Sequence, residues 1–282
     1  MSAPVFIAVA FGSSVVAGVV GALLGLGGGI IVVPVLVLAL RVPIQYAVGA
    51  SIISVIATSS AAAAAYVRDR LTNLRIGLFL ETATTTGAVT GALLARVVGG
   101  RALYVLFGLV LAYSALMMFR RRNAELCTTA QNHPWAERLR LASCYPEPAQ
   151  GGLVQYNVAG VPLALGLMYG AGVISGLLGI GSGALKVPAM DLAMKLPIKV
   201  SSATSNFMIG VTAAASAGVY FARGDVVPLI AAPVALGVLL GALAGARLMC
   251  YMRGKVIRYI FVVVLCFISV QMILKGLGLA LY

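Results

Sequence analysis

The chain reads GALLGLGGGIIVVPVL at residues 21–36 and SGLLGIGSGALKVPAM at residues 175–190. Gly27 aligns with Gly181, an offset of 154 residues. Without a gap, the same offset pairs Pro34 with Pro188, Pro43 with Pro197, Ser51 with Ser205 and Tyr66 with Tyr220. It still holds at Gly87 with Gly241, Gly91 with Gly245 and Phe107 with Phe261. Residues 23–66 and 177–220 agree at 16 of 44 positions. A shared apolar composition would not align the prolines, so the chain holds two copies of one unit. Duplicated halves are a common transporter architecture.

Composition says where those copies reside. Of the 282 residues, 61% are hydrophobic and only 10% charged, and the mean hydropathy is +1.06. A soluble domain is about 25% charged. A soluble protein this apolar lacks the polar surface to cover itself. The scarcity of charge also excludes disorder. The apolar runs are continuous rather than alternating, which argues against a β-barrel. What remains is an all-α polytopic integral membrane protein. Its net charge of +13 is read as topology rather than nucleic-acid binding, because the basic residues lie mostly between apolar runs. Val5–Leu24 has no basic stretch before it and reads as a span, not a cleaved signal.

Each half has five apolar segments: 5–24, 30–40, 46–66, 76–95 and 103–119, then 158–178, 184–194, 200–221, 226–246 and 257–275. The domains are a first repeat (1–119), a polar linker (120–157) and a second repeat (158–282). The linker is too short to bury a core. Within it, Pro134–Leu141 is a candidate interfacial helix. It carries His133, the only histidine, between Cys127 and Cys144. A zinc site wants closely paired ligands such as C-x-x-C, so these cysteines read as reduced thiols.

The second segment of each half is short. If it re-enters and returns, the loops give no orientation signal. If it completes a crossing, the repeats are inverted. Fourteen basic residues then fall on one face and five, Arg41, Arg96, Arg101, Arg223 and Lys275, on the other. That asymmetry fits the positive-inside rule with the linker in the cytoplasm. An eleven-residue helix covers only about 16 Å at ~1.5 Å per residue, against a bilayer core of about 30 Å. The count therefore requires the glycine-rich breaks to lie inside the membrane.

Irregular backbone at that depth is tolerated where protein covers it or where it lines a polar cavity. Gly25, Gly27, Gly28 and Gly29 make the first break; Gly179, Gly181, Ser182 and Gly183 make the second. Each opens a short helix, whose N-terminal N–H groups and partial positive charge suit an anion. Close helix packing on small residues is the competing explanation. Lys186 stands in the first turn of the second short helix, where the first half has Val32. A charge at this depth is costly, so it calls for a partner: a substrate anion or a carboxylate. Asp191 is five residues on, which puts it on a rather different face of a helix. Glu81, in FLETATTTGAVTG, is a candidate for proton coupling or for balancing Lys186, or it reaches water at the segment end. Asp191 is the second coupling candidate. Ser51, Thr204, Ser205 and Asn206 are candidates to complete a polar pocket, or else cap and bridge helices.

At these residues the sequence resembles the sulfite exporter (TauE/SafE) family, on the duplicated ALLGLGGGIIVVP and GLLGIGSGALKVP and on the motif around Ala50-Ser51 and Ala203-Thr204-Ser205. The resemblance spans nearly the whole chain. It implies a multi-pass cell-membrane transporter of small sulfur-containing anions, such as sulfite, sulfoacetate or thiosulfate. The sequence departs from the family pattern at Ser182, in place of a glycine, and at Ala50.

An intramembrane enzyme is the rival class, since Gly181-Ser182-Gly183 resembles a serine nucleophile in a glycine setting. A serine needs a base, and His133 lies in the linker. No G-x-x-x-x-G-K-[ST] is present to bind ATP. A passive anion channel is the third reading. The expected partners are a small anion and the bilayer, without nucleic acid, metal or cofactor; a homo-oligomer stays open.

Overall fold

The computed structural model describes residues 3–94, scattered positions between 105 and 120, 132–147, 152–178, 183–222, 224 and 226–278. The segment expected at 103–119 and the glycine break at 179–182 fall largely outside them. The first repeat forms α1 (Ala3–Leu24), α2 (Gly29–Pro34), a π-helical turn (Val35–Ala39), α3 (Ile44–Arg68) and α4 (Leu74–Leu94). The linker forms α5 (Pro134–Arg138) and the strands β1 (Ser143–Glu147) and β2 (Gly152–Tyr156). The second repeat forms α6 (Val161–Leu178), α7 (Gly183–Ala193), α8 (Ile198–Ala222), α9 (Pro228–Tyr251) and α10 (Gly254–Gly276). Among the described residues, four stretches are long and apolar enough to cross a membrane: Pro4–Leu24, Gly49–Arg68, Pro228–Tyr251 and Gly254–Gly276. The fold is all-α and membrane-spanning, as composition predicts.

The chain divides into two compact units: residues 1–72 with 202–251, and residues 73–201 with 252–282. Neither unit is a sequence repeat, because the repeats exchange helices. In the first unit α1 packs along α9, and in the second α4 packs along α6. These are equivalent pairs under the 154-residue offset, and glycine makes both. A Cβ on Gly241 or Gly245 would run into the carbonyls of Val15 and Val19; one on Gly87 or Gly91 would run into those of Tyr169 and Val173. Side chains at these four positions would force the helices apart, and small residues are what membrane helices use for backbone approach. The contact partners rise in number together, so each pair runs parallel.

The short helices return the chain. In the second unit Ala159 N–H donates to Met194 O at 3.2 Å, so the end of α7 lies beside the start of α6. In the first unit one apolar cluster joins Ala10 of α1, Leu36, Leu40, Val42, and Ala47 and Ala50 of α3, with Phe6 packed against it. At the other end, Tyr66 OH, near the C-terminus of α3, donates to Ala22 O near the C-terminus of α1 at 3.0 Å. Thus α3 runs parallel to α1. Pro34 lacks an N–H and removes one helical hydrogen bond at the end of α2. The π turn follows, with Leu40 N–H donating to Val35 O at 3.3 Å, while Pro188 sits inside an unbroken α7.

The linker is a folded cap. The strands β1 and β2 pair antiparallel, Tyr145 opposite Val154. Leu141, Tyr145 and Tyr156 are buried. Burial lifts the phenols of Tyr145 and Tyr156 above their ordinary pKa, the neighbouring Glu147 adding to the rise at Tyr145. Asn73, one residue before α4, donates to Leu141 O at 2.8 Å and to Tyr156 Oη at 2.9 Å. Lys199, at the start of α8, pairs with Glu147 at 2.7 Å, and both are buried.

Candidate functional site

The first glycine break is a helix C-terminus turned directly into a helix N-terminus. Leu26 N–H donates to Gly21 O at 3.1 Å and Gly25 N–H to Ala22 O at 3.3 Å. That is a Schellman closure, with Gly25 at the left-handed position, φ 68°. Gly27 is also left-handed, φ 65°, and Gly29 opens α2. The break is tightly enclosed: a Cβ on Gly25 would meet the backbone of Ser202, one on Gly27 the side chains of Val55 and Ile209, one on Gly28 Thr58 Oγ1, and one on Gly29 Ser51 Oγ.

Side chains of α8 satisfy the carbonyls at the end of α1. Ser205 Oγ donates to Gly25 O at 2.7 Å. Asn206 Nδ2 donates to Ala22 O at 2.7 Å and to Ser202 O at 3.2 Å. The donors of Ser205 and Asn206 are thereby turned onto backbone, while Asn206 Oδ1 and Ser202 Oγ are buried without a hydrogen-bond partner among the described residues. Thr204 is fully buried on the same helix, and Ser51 is buried on α3.

The second unit is built on charge. Gly183 opens α7 and is buried; Gly181 and Ser182, predicted beside it, lie outside the described residues. Lys186 is wholly buried, and its Nζ stands 2.9 Å from Glu81 Oε2 on α4. Glu81 is 7% exposed; of the sequence's alternatives for it, balancing Lys186 is the geometry found, and contact with water at the segment end is not. Asp191, five residues on and on a rather different helix face, pairs with Arg258 of α10 at 2.7 Å. So α7 is fixed to α4 and α10 by ion pairs at its two ends. The sequence reading missed Lys199 as a buried cation and Arg258 as a largely covered one. The signal was available in arithmetic: with so few acids, a cation inside the apolar α10 needs one of them.

The first unit is apolar where the second is ionic. The offset of 154 residues puts Val32 opposite Lys186, Val37 opposite Asp191 and Ala235 opposite Glu81. His133 caps α5, its Nδ1 accepting from Trp135 N–H at 3.2 Å. Among the described residues no group of three or more His, Cys, Asp or Glu side chains is placed to hold a metal.

Comparison with known proteins agrees with this architecture. A probable membrane transporter protein of Bacillus subtilis (strain 168), YunE, is 29% identical over 269 residues, covering 93% of this chain and 95% of the relative. A probable membrane transporter protein of Xylella fastidiosa (strain 9a5c) is 27% identical over 241 residues, covering 85% and 82%. A second Bacillus subtilis protein, YdhB, with the same description, is 26% identical over 231 residues, covering 82% and 85%. No solved structure matches significantly. The profile of the sulfite exporter TauE/SafE family matches residues 10–272. Ten apolar segments in two copies, glycine breaks opening short helices and a profile spanning nearly the whole chain make this a membrane transporter, and the chain belongs to the sulfite exporter TauE/SafE family.

Proposed function

We propose that the protein is a secondary transporter of small sulfur-containing anions such as sulfite, sulfoacetate or thiosulfate, held in the cell membrane as inverted repeats with the linker in the cytoplasm. The observation that carries the anion reading is Lys186. A wholly buried ammonium stands in the first turn of α7, which Gly183 opens. The N-terminus of α7 adds N–H groups and a partial positive charge. A sulfur oxyanion presents several acceptor oxygens, which suits such a donor set. The return of α7 to the start of α6 supports a complete crossing by each short segment, and so an odd number of crossings per repeat.

Binding by Lys186→Met decides the anion reading. The substitution keeps much of the volume and removes the charge. Affinity for sulfite and thiosulfate, normalised to folded protein, falls by about tenfold or more, since hydrogen bonds to charged groups are worth about 1.5–3 kcal/mol. Lys186→Arg is intermediate, because guanidinium pairs with an oxyanion but needs a differently shaped cavity. Wild-type affinity in a stable Lys186→Met protein would rule the role out.

A further inference from the structure

We propose that Glu81 is the proton carrier of this transporter: the anion displaces its carboxylate from Lys186, and Glu81 takes up one proton for each anion bound. The proposal rests on the anion reading above and adds the coupling.

The equivalent positions of the first unit are apolar: Val32, which is buried, and Ala235. Replacing a buried ion pair with apolar residues is often neutral or stabilising, so structure alone gives little reason to keep Lys186 and Glu81 at 2.9 Å. Ionisable groups within membrane segments mark ion pathways and proton relays.

The coupling follows from charge balance. In the empty state the ammonium and carboxylate neutralise each other. An anion that takes the ammonium leaves the carboxylate charged in a buried place, and protonation removes that charge. On loading, the anion binds Lys186–NH3+ and Glu81–COO⁻ plus H⁺ becomes Glu81–COOH. On release, Glu81 loses the proton and the ion pair re-forms. No electrons move, and one proton crosses with each anion in the same direction.

The surrounding titratable groups are placed differently. On α7, Asp191 is held by Arg258 of α10 at 2.7 Å. On α6, Tyr169 shares a 3.1 Å hydrogen bond with Thr90. Lys255, Tyr259 and Cys266 of α10 and Arg75 of α4 are exposed, and Lys275 is half-buried at the far end of α10.

Thiosulfate is the suitable probe, because it stays ionised near neutral pH and carries no proton of its own. The experiment uses the full chain in liposomes with a trapped pH dye, and counts protons entering per thiosulfate. The wild type gives about one, and Glu81→Gln less than about a tenth of that, as expected of an intramembrane relay. Glu81→Asp restores the ratio at an altered rate. A wild type whose thiosulfate flux leaves the lumen pH unchanged overturns the proposal, as does a Glu81→Gln protein with the wild-type ratio. A wild type that moves no thiosulfate, sulfite or sulfoacetate sinks the anion reading instead.

Discussion

Arg41 and Lys195 stand one repeat apart and share one backbone conformation, left-handed with φ of 54° and 56°. Each ends a short helix and stands two residues before a proline, Pro43 or Pro197. The turn around each closes the same way: Val42 N–H reaches Leu36 O at 3.0 Å and Leu196 N–H reaches Met190 O at 3.4 Å. The duplication is thus preserved in backbone geometry at positions whose side chains project outward. A non-glycine residue in this region costs about 1–2 kcal/mol. Both side chains are exposed, so replacing either with glycine loses little contact. Lys195→Gly should therefore raise stability by about 1 kcal/mol, read as a higher unfolding temperature in detergent. Lys195→Val should lower it.

The helix exchange between repeats makes a second prediction. Gly91→Ala and Gly245→Ala place a methyl group against the carbonyls of Val173 and Val19. Overpacking of this kind costs about 1–3 kcal/mol. Gly166→Ala on α6 meets nothing within 4 Å and should be neutral or stabilising, since alanine favours helix over glycine by roughly 1 kcal/mol. Thermal unfolding of the three variants side by side separates packing from propensity. Equal behaviour of Gly91→Ala and Gly166→Ala would contradict the close approach of α4 to α6.

Much of this fold was legible because the repeat constrains it. The paired prolines and glycines located the short helices, and continuous hydropathy located the long ones. The β-hairpin was not legible. Its strands, SCYPE and GLVQY, are short and contain a proline and a glycine, and what holds them is tertiary: Asn73 bonding Leu141 and Tyr156, and Lys199 against Glu147. Those partners are 52 to 83 residues apart in sequence. At the site, Lys186 was conspicuous as a charge in an apolar run. Its partner Glu81 was one of two carboxylates in view, and only the folded structure, with Lys186 Nζ at 2.9 Å from Glu81, selects it.

The hairpin's attachment gives a third prediction. Lys199 and Glu147 are both buried, and removing one partner of a buried pair leaves an uncompensated charge worth about 3–5 kcal/mol. Lys199→Met should therefore destabilise strongly. Lys199→Met combined with Glu147→Gln should recover much of the loss. Equilibrium unfolding of the two single variants and the double variant gives the coupling energy. If the effects simply add, the pair carries no stabilisation.

The orientation of the repeats gives the last prediction. Suppose α7 entered and left on one side; the second repeat would then cross an even number of times. The linker and the end of α10 would share a face. But α7 returns to the start of α6, with Ala159 N–H on Met194 O at 3.2 Å, and α10 begins beside the start of α8, where a Cβ on Gly254 would meet Ile198. With five crossings the linker and the end of α10 would lie on opposite faces. Cys144 is exposed on the hairpin and Leu277 is exposed just past α10. In a chain otherwise free of cysteine, Cys144 should react with an impermeant maleimide only from the cytoplasmic side. With Cys144 also replaced, Leu277→Cys should react only from outside. Labelling of both from one side would return α7 to a re-entrant hairpin and the repeats to parallel orientation.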